Sequence, residues 1–236
     1  MKTSLPAAVL WDLDGTIVDT EPYWMASQEE LVARFGGVWT HDDAMTLVGS
    51  GLDRTARLLQ EHGVDMTSHA IIDHLTAEVM TRISISVPWR PGARELLAAL
   101  RESGVACALV TMSIGVMAEH VRSFIPFDAF DVVVSGDSVE NSKPHPEAYL
   151  EAARLLGVPI EECVAIEDSG PGVTSAFASG AVTIGVPHIL SLDDSPASVL
   201  WPTLDGRTVD DVAAAFAAYR RPSAIHTSIG SRTLQP

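Results

Sequence analysis

The sequence predicts an α/β fold: a parallel sheet with helices on both faces, carrying a second, helical unit inserted after the first strand. Three observations carry that expectation. Short apolar runs bounded by turn signals recur at 7–13, 105–110, 131–134, 163–166 and 181–186, as strands buried on both faces require. Stretches of helical period and length alternate with them at 92–103, 115–124, 146–156 and 172–179, and strand alternating with helix implies parallel pairing. The stretch 20–90 breaks the rhythm, with helical patterns near 23–35, 52–62 and 68–84 and no convincing strand among them.

Taken in chain order, the first run ends on Asp12 and Asp14, and the helical stretch follows. SVPWRPG at 86–92 returns the chain, because its prolines end the last inserted helix and Gly92 opens the next one. The second run, VACALVT, ends on Thr111; the third, DVVVSG, ends on Ser135 and Gly136. NSKPHPE then brings Lys143 into the following loop, and the fourth run, ECVAIED, ends on Glu167 and Asp168. The segment from Arg220, RRPSAIHTSIGSRTLQP, is polar and unpatterned. The expected organisation is a discontinuous core at 1–19 and 91–219, a helical insertion at 20–90 and a flexible tail at 220–236.

Composition narrows the function classes. The 236 residues are 47% hydrophobic, enough for a core, and 15 Lys+Arg against 31 Asp+Glu give a net charge of −16. Such a field repels a phosphate backbone or an anionic membrane, so neither nucleic acid nor membrane is an expected partner. Cys107 and Cys163 sit inside apolar runs and read as small buried thiols of a reducing compartment. The opening MKTSLPAAVLWDLDG has one lysine and an apolar stretch soon interrupted by Asp12, which predicts no signal peptide. The expected location is the cytoplasm, as a monomer or weak homodimer.

In an open parallel sheet, ligands bind beyond the carboxyl ends of the strands, and there the polar residues collect. Asp12 and Asp14 are i and i+2 of an extended chain and point the same way. Together with Glu167 and Asp168 they would repel one another unless a divalent cation lay among them, and all-oxygen ligation suits Mg²⁺. Thr111 and Lys143 supply a hydroxyl and a cation for phosphate oxygens, and the Gly15–Thr16 turn can offer backbone N–H groups. The whole reads as a phosphoryl site with a carboxylate nucleophile available. Each part has a plainer reading. The aspartate pair alone could be a solvated loop or helix cap, Lys143 a surface lysine, Thr111 a strand-end hydroxyl, and Glu167–Asp168–Ser169 a cap for the next helix. Tyr23 and Trp24 could line a pocket or pack the insertion. Asp19 and Glu21 read as hinge or insertion-face residues, with a place behind the reacting groups as the alternative. His69 and His74 are five apart, which is not a zinc-ligand spacing.

In combination, DLDGT at 12–16, Thr111, SKPHPEAY at 142–149 and IEDSGPGVTSAFASG at 166–180 resemble the four ordered motifs of the haloacid dehalogenase superfamily. The inserted helices resemble the α-helical cap of its β-phosphoglucomutase-like and phosphoglycolate phosphatase-like members. The resemblance spans 7–204 and implies a Rossmann-like core. It implies that Asp12 is the nucleophile that forms an aspartyl phosphate, and that Asp14 is the acid and base. It implies Mg²⁺ held by the Asp12 side chain, the Asp14 carbonyl and Asp168, with Glu167 at the same corner. Thr111 and Lys143 would bind the transferring phosphoryl group, and the second aspartate selects phosphoryl transfer over carbon–halogen chemistry.

Three departures qualify it. Trp11 stands where the family usually has Phe, and Met112 follows Thr111 where a small polar residue is common, which would leave only a backbone contact to substrate there. In GSGLDRTARLL at 49–59, Leu52 fills the place where mutases carry an arginine soon after Gly49, with Arg54 two residues later as the candidate cap cation. A mutase must grip a second phosphate, so this favours a phosphatase. The expectation is a Mg²⁺-dependent phosphatase for a small phosphorylated metabolite such as a sugar phosphate. A hexose phosphate mutase, or an inactive aspartate-bearing binding module, stands as the alternative.

Overall fold

A computed structural model of the chain describes residues 4–220. Of the expected tail only Arg220 is among them, ion-paired to Glu162 at 2.8 Å; positions 221–236 lie outside the described residues. Six parallel strands form one sheet: β1 (Ala8–Trp11), β2 (Ala106–Val110), β3 (Val132–Val134), β4 (Cys163–Glu167), β5 (Val182–Gly185) and β6 (Val199–Leu200). Their order is β3-β2-β1-β4-β5-β6, so the chain winds outward from β1 in both directions. That reversal opens a crevice at the carboxyl end of β1, between β2 and β4.

Nine helices accompany the sheet among the described residues. α1 (Glu21–Arg34), α2 (His41–Met45), α3 (Leu52–Glu61) and α4 (Ser68–Ile85) come from the insertion. α5 (Ala93–Glu102), α6 (Gly115–Arg122), α7 (Glu147–Leu156), α8 (Gly170–Ser179) and α9 (Val209–Tyr219) cover the sheet. Along β1 the side chains alternate between two packed layers. Val9 and Trp11 join α5, α6 and α9 through Leu97, Met117 and Phe216, whereas Ala8 and Leu10 join α7 and α8 through Ala152 and Ala176. Trp11 is fully buried in the first layer, which answers its departure from Phe as a matter of packing. Cys107 and Cys163 are buried free thiols, and burial pushes each up to about 12.

Two short paired segments connect insertion and core. Asp19 N–H donates to the Pro88 carbonyl at 2.7 Å and Arg90 N–H to the Ile17 carbonyl at 2.9 Å. His188, beyond β5, clamps the pair: its Nε2 lies 2.7 Å from Asp19 Oδ1, and its Nδ1 lies 2.7 Å from Arg90 Nη1. Arginine can only donate, so Nδ1 accepts and Nε2 carries the proton given to Asp19.

Candidate active site

The sheet brings Asp12, Asp14, Thr111, Lys143, Glu167 and Asp168 to one rim. β1 delivers Asp12, whose N–H continues the ladder to the Ile166 carbonyl at 3.1 Å. Lys143 reaches in from the loop before α7 and spends all three N–H groups on protein acceptors. They are Asp12 Oδ1 at 2.7 Å, Glu167 Oε1 at 2.6 Å and the Val110 carbonyl at 2.9 Å. Burial lowers the lysine's pKa, but Asp12 and Glu167 outweigh it and the net shift is upward, so the group stays an ammonium. Asp12 Oδ2 is buried with no hydrogen-bond partner. Burial, then Glu167, push Asp12 up to about 7 against the pull of Lys143, and burial with Asp12 and Glu167 raises Asp168 well above the usual carboxylate range.

Glu167 is fully buried and saturated. Besides Lys143, Oε1 accepts from the Tyr149 hydroxyl at 2.8 Å, and Oε2 accepts from Asp168 N–H, Ser169 N–H and Ser169 Oγ at 3.1–3.3 Å. It therefore stands behind Asp12 and fixes Lys143. Asp14 is held by two elements. From the core, Ser113 Oγ donates to Oδ2 at 2.7 Å and Thr111 Oγ1 at 3.3 Å; from the insertion, Thr20 Oγ1 and Trp24 Nε1 donate to Oδ1.

Some expected contacts are absent. The Gly15 and Thr16 amides do not face a ligand, because Gly15 N–H donates to the Val18 carbonyl at 2.7 Å and Thr16 N–H to the Leu13 carbonyl at 3.3 Å. The turn closes on itself instead. Gly15 has φ +90° and a Cβ there would strike the Asp168 carboxylate, while Thr16 Oγ1 lies 3.5 Å from Asp168 Oδ1; both shape the acidic corner. Met112 and Gly49, both named as candidate substrate contacts, line the cavity. Arg54 does not: it is exposed on α3 and donates to Ser50 Oγ at 3.0 Å, because that helix turns Leu52 and Thr55 inward. The expected cap cation is thus not in the pocket.

A family model described as haloacid dehalogenase-like hydrolase matches residues 9–186. The chain belongs to the haloacid dehalogenase-like hydrolases. It is 33% identical over 193 residues to a phosphorylated carbohydrates phosphatase of Thermotoga maritima, covering 80% of this chain and 88% of that protein. It is 29% identical over 184 residues to hexitol phosphatase B of Escherichia coli (strain K12), covering 76% and 83%. Among solved structures, CbbY from Rhodobacter sphaeroides in complex with phosphate superposes with a TM-score of 0.78 at 26% identity, covering 86% of this chain and 96% of that one.

In this hydrolase the acidic corner suits a divalent cation. Asp12, Glu167 and Asp168 each place an oxygen within 4.8 Å of the others, all buried. Helix α1 closes the cavity over this corner, where Glu21, Trp24 and Gln28 line it at the i, i+3, i+7 spacing that puts side chains on one helix face. Trp24 was already a candidate for a pocket, whereas Glu21 and Gln28 were given no place in it. Burial, then Asp14, Asp19 and Asp12, push Glu21 up to about 8. Ser113 was legible in principle, being i+2 from Thr111 and so on the same side of an extended strand end. Tyr149 lay inside the quoted motif without a role.

Proposed function

We propose that this hydrolase is a Mg²⁺-dependent phosphatase that cleaves a small sugar or polyol phosphate monoester through an aspartyl-phosphate intermediate. One observation carries the reading: Asp12 is clamped through Oδ1 by Lys143 while Oδ2, the better-placed nucleophile, has no partner, in a buried acidic corner with Asp14 close by. The names of the phosphatase relatives support the substrate class.

Asp12, Asp168 and the Asp14 carbonyl would hold Mg²⁺, with Glu167 fixing the corner through Lys143. Bound there, the ion would offset the carboxylates' charge and draw phosphate oxygens toward Asp12. Asp12 Oδ2 attacks phosphorus as the ester P–O bond breaks, and Asp14 gives a proton to the departing oxygen. In the second half Asp14 takes a proton from water, the water oxygen attacks phosphorus, and the bond to Asp12 breaks to release inorganic phosphate. Lys143 keeps Asp12 in place through both steps. The cavity is about 70 Å³, too small for a hexitol phosphate. The insertion therefore parts from the core to admit substrate, turning about the paired segments at 17–19 and 88–90, and closes to exclude water.

The test is phosphate release from sugar, hexitol and glycerol phosphates with Mg²⁺ and with chelator. Release that needs the metal supports the reading. Isomerisation without release would replace it with the mutase, and silence across the panel would leave a binding module.

A further inference from the structure

Gln28 lines the cavity, is 5% exposed, and its Oε1 has no hydrogen-bond partner. A buried carboxamide oxygen left unpaired is costly, and such exceptions call for a ligand or a function. Gln28 lies one turn along α1 beyond Trp24, whose indole N–H reaches Asp14. One turn is roughly 6 Å, the distance from an ester oxygen to a hydroxyl several bonds further along a carbon chain.

The charge of the lining restricts what that chain can carry. Among the described residues around the cavity Lys143 is the one cation, and its three N–H groups are all engaged at the Asp12 end. The insertion adds the Glu21 carboxyl, the Gln28 carboxamide, and the hydroxyls of Ser50 and Thr55. Of the two arginines of α3, neither Arg54 nor Arg57 lines the cavity, and Arg54 is exposed with its Nη1 donating to Ser50 Oγ at 3.0 Å. A second phosphate or a carboxylate on the substrate would find no cation on the insertion side of the lining, whereas hydroxyls would find both donors and acceptors.

Resting on the phosphatase reading above, we infer that Gln28 and Glu21 form a hydroxyl-reading subsite that selects neutral polyol monophosphates against bisphosphates and phosphorylated acids. Gln28 is the specificity-determining residue, and its carboxamide completes its hydrogen bonds only on substrate.

The experiment compares kcat/KM for a hexitol monophosphate, a hexose bisphosphate, a phosphorylated hydroxy acid and an aryl phosphate without hydroxyls. The wild-type protein should prefer the hexitol ester over the bisphosphate and the acid. In Gln28→Met the ratio of hexitol to aryl phosphate kcat/KM should fall roughly tenfold, mainly through KM, as the loss of a hydrogen bond predicts. Gln28→Asn, which shortens the same amide, reads the same ratio if the first variant does not fold. A wild-type preference for the bisphosphate or the acid, or a ratio unmoved in a folded variant, would overturn the subsite while leaving the phosphatase standing. No release from any ester, the aryl phosphate included, would instead overturn the phosphatase reading and the subsite with it.

Discussion

Lys143 carries more of this site than its charge alone suggests. Among the described residues it is the one counter-ion to Asp12 and Glu167, both buried, so Lys143→Met leaves those carboxylates unpaired. Breaking a buried ion pair from one side costs about 3–5 kcal/mol, and chemical denaturation of the two proteins should show a loss of that size; a loss below about 1 kcal/mol would mean the pair is solvated. Glu21 makes a pH prediction. Its folded pKa, near 8, lies above its ordinary 4.5, so the folded state holds the proton more tightly and stability falls as pH rises between those values. Glu21→Gln has no such proton. In metal-free buffer its melting-temperature advantage over wild type should be smallest near pH 4.5 and grow to a plateau above about 8; a constant difference across that range would refute the burial of Glu21. The residues of the rim were legible because strand ends advertise themselves: Asp12, Thr111 and Glu167 each follow directly on an apolar run. Glu21 and Gln28 were not, since a polar residue on an amphipathic helix reads as solvent-facing until the packing partner of that face is known.

At the scale of elements, Thr20 shows how a local rule yields to the site. It precedes α1 where a threonine ordinarily caps a helix, yet it makes no cap bond and gives its hydroxyl to Asp14. α8 does the reverse and satisfies both demands: Ser169 Oγ accepts from Gly172 N–H at 3.1 Å and also reaches Glu167. The first turn of α8 lies so close to Glu167 that a Cβ on Gly172 would enter its carboxylate, which five donors hold in place. Gly172→Ala should therefore cost roughly 1–3 kcal/mol by overpacking, although alanine favours helix, and thermal melts would reveal it; a neutral or stabilised variant would show that Glu167 is free to move. Strands β1–β5 were legible as continuous apolar runs. β6, two residues long, offers no such run, and α2 and α9 were missed although each opens on a threonine-aspartate capping box, Thr40 with Asp43 and Thr208 with Asp211.

At the scale of the molecule, the strand order could not be read from the runs, because five apolar segments of similar length fit several arrangements. What the order contributes is the crevice at β1, where the chain's windings diverge and Asp12 emerges with Lys143 and Glu167 against it. The insertion then places its own donors, Thr20 and Trp24, on Asp14, so the contact that closes the cavity also holds that carboxylate in place. No helix among the described residues is long and apolar enough to cross a membrane. Phosphoryl transfer through Asp12 is tested by an acid quench during turnover of a labelled hexitol phosphate with Mg²⁺, followed by peptide mapping, on the wild-type protein and Asp12→Asn. The label should sit on the peptide that contains Asp12, and both label and turnover should be lost in Asp12→Asn; a label on another residue, or turnover surviving in Asp12→Asn, would mean that the transfer runs elsewhere.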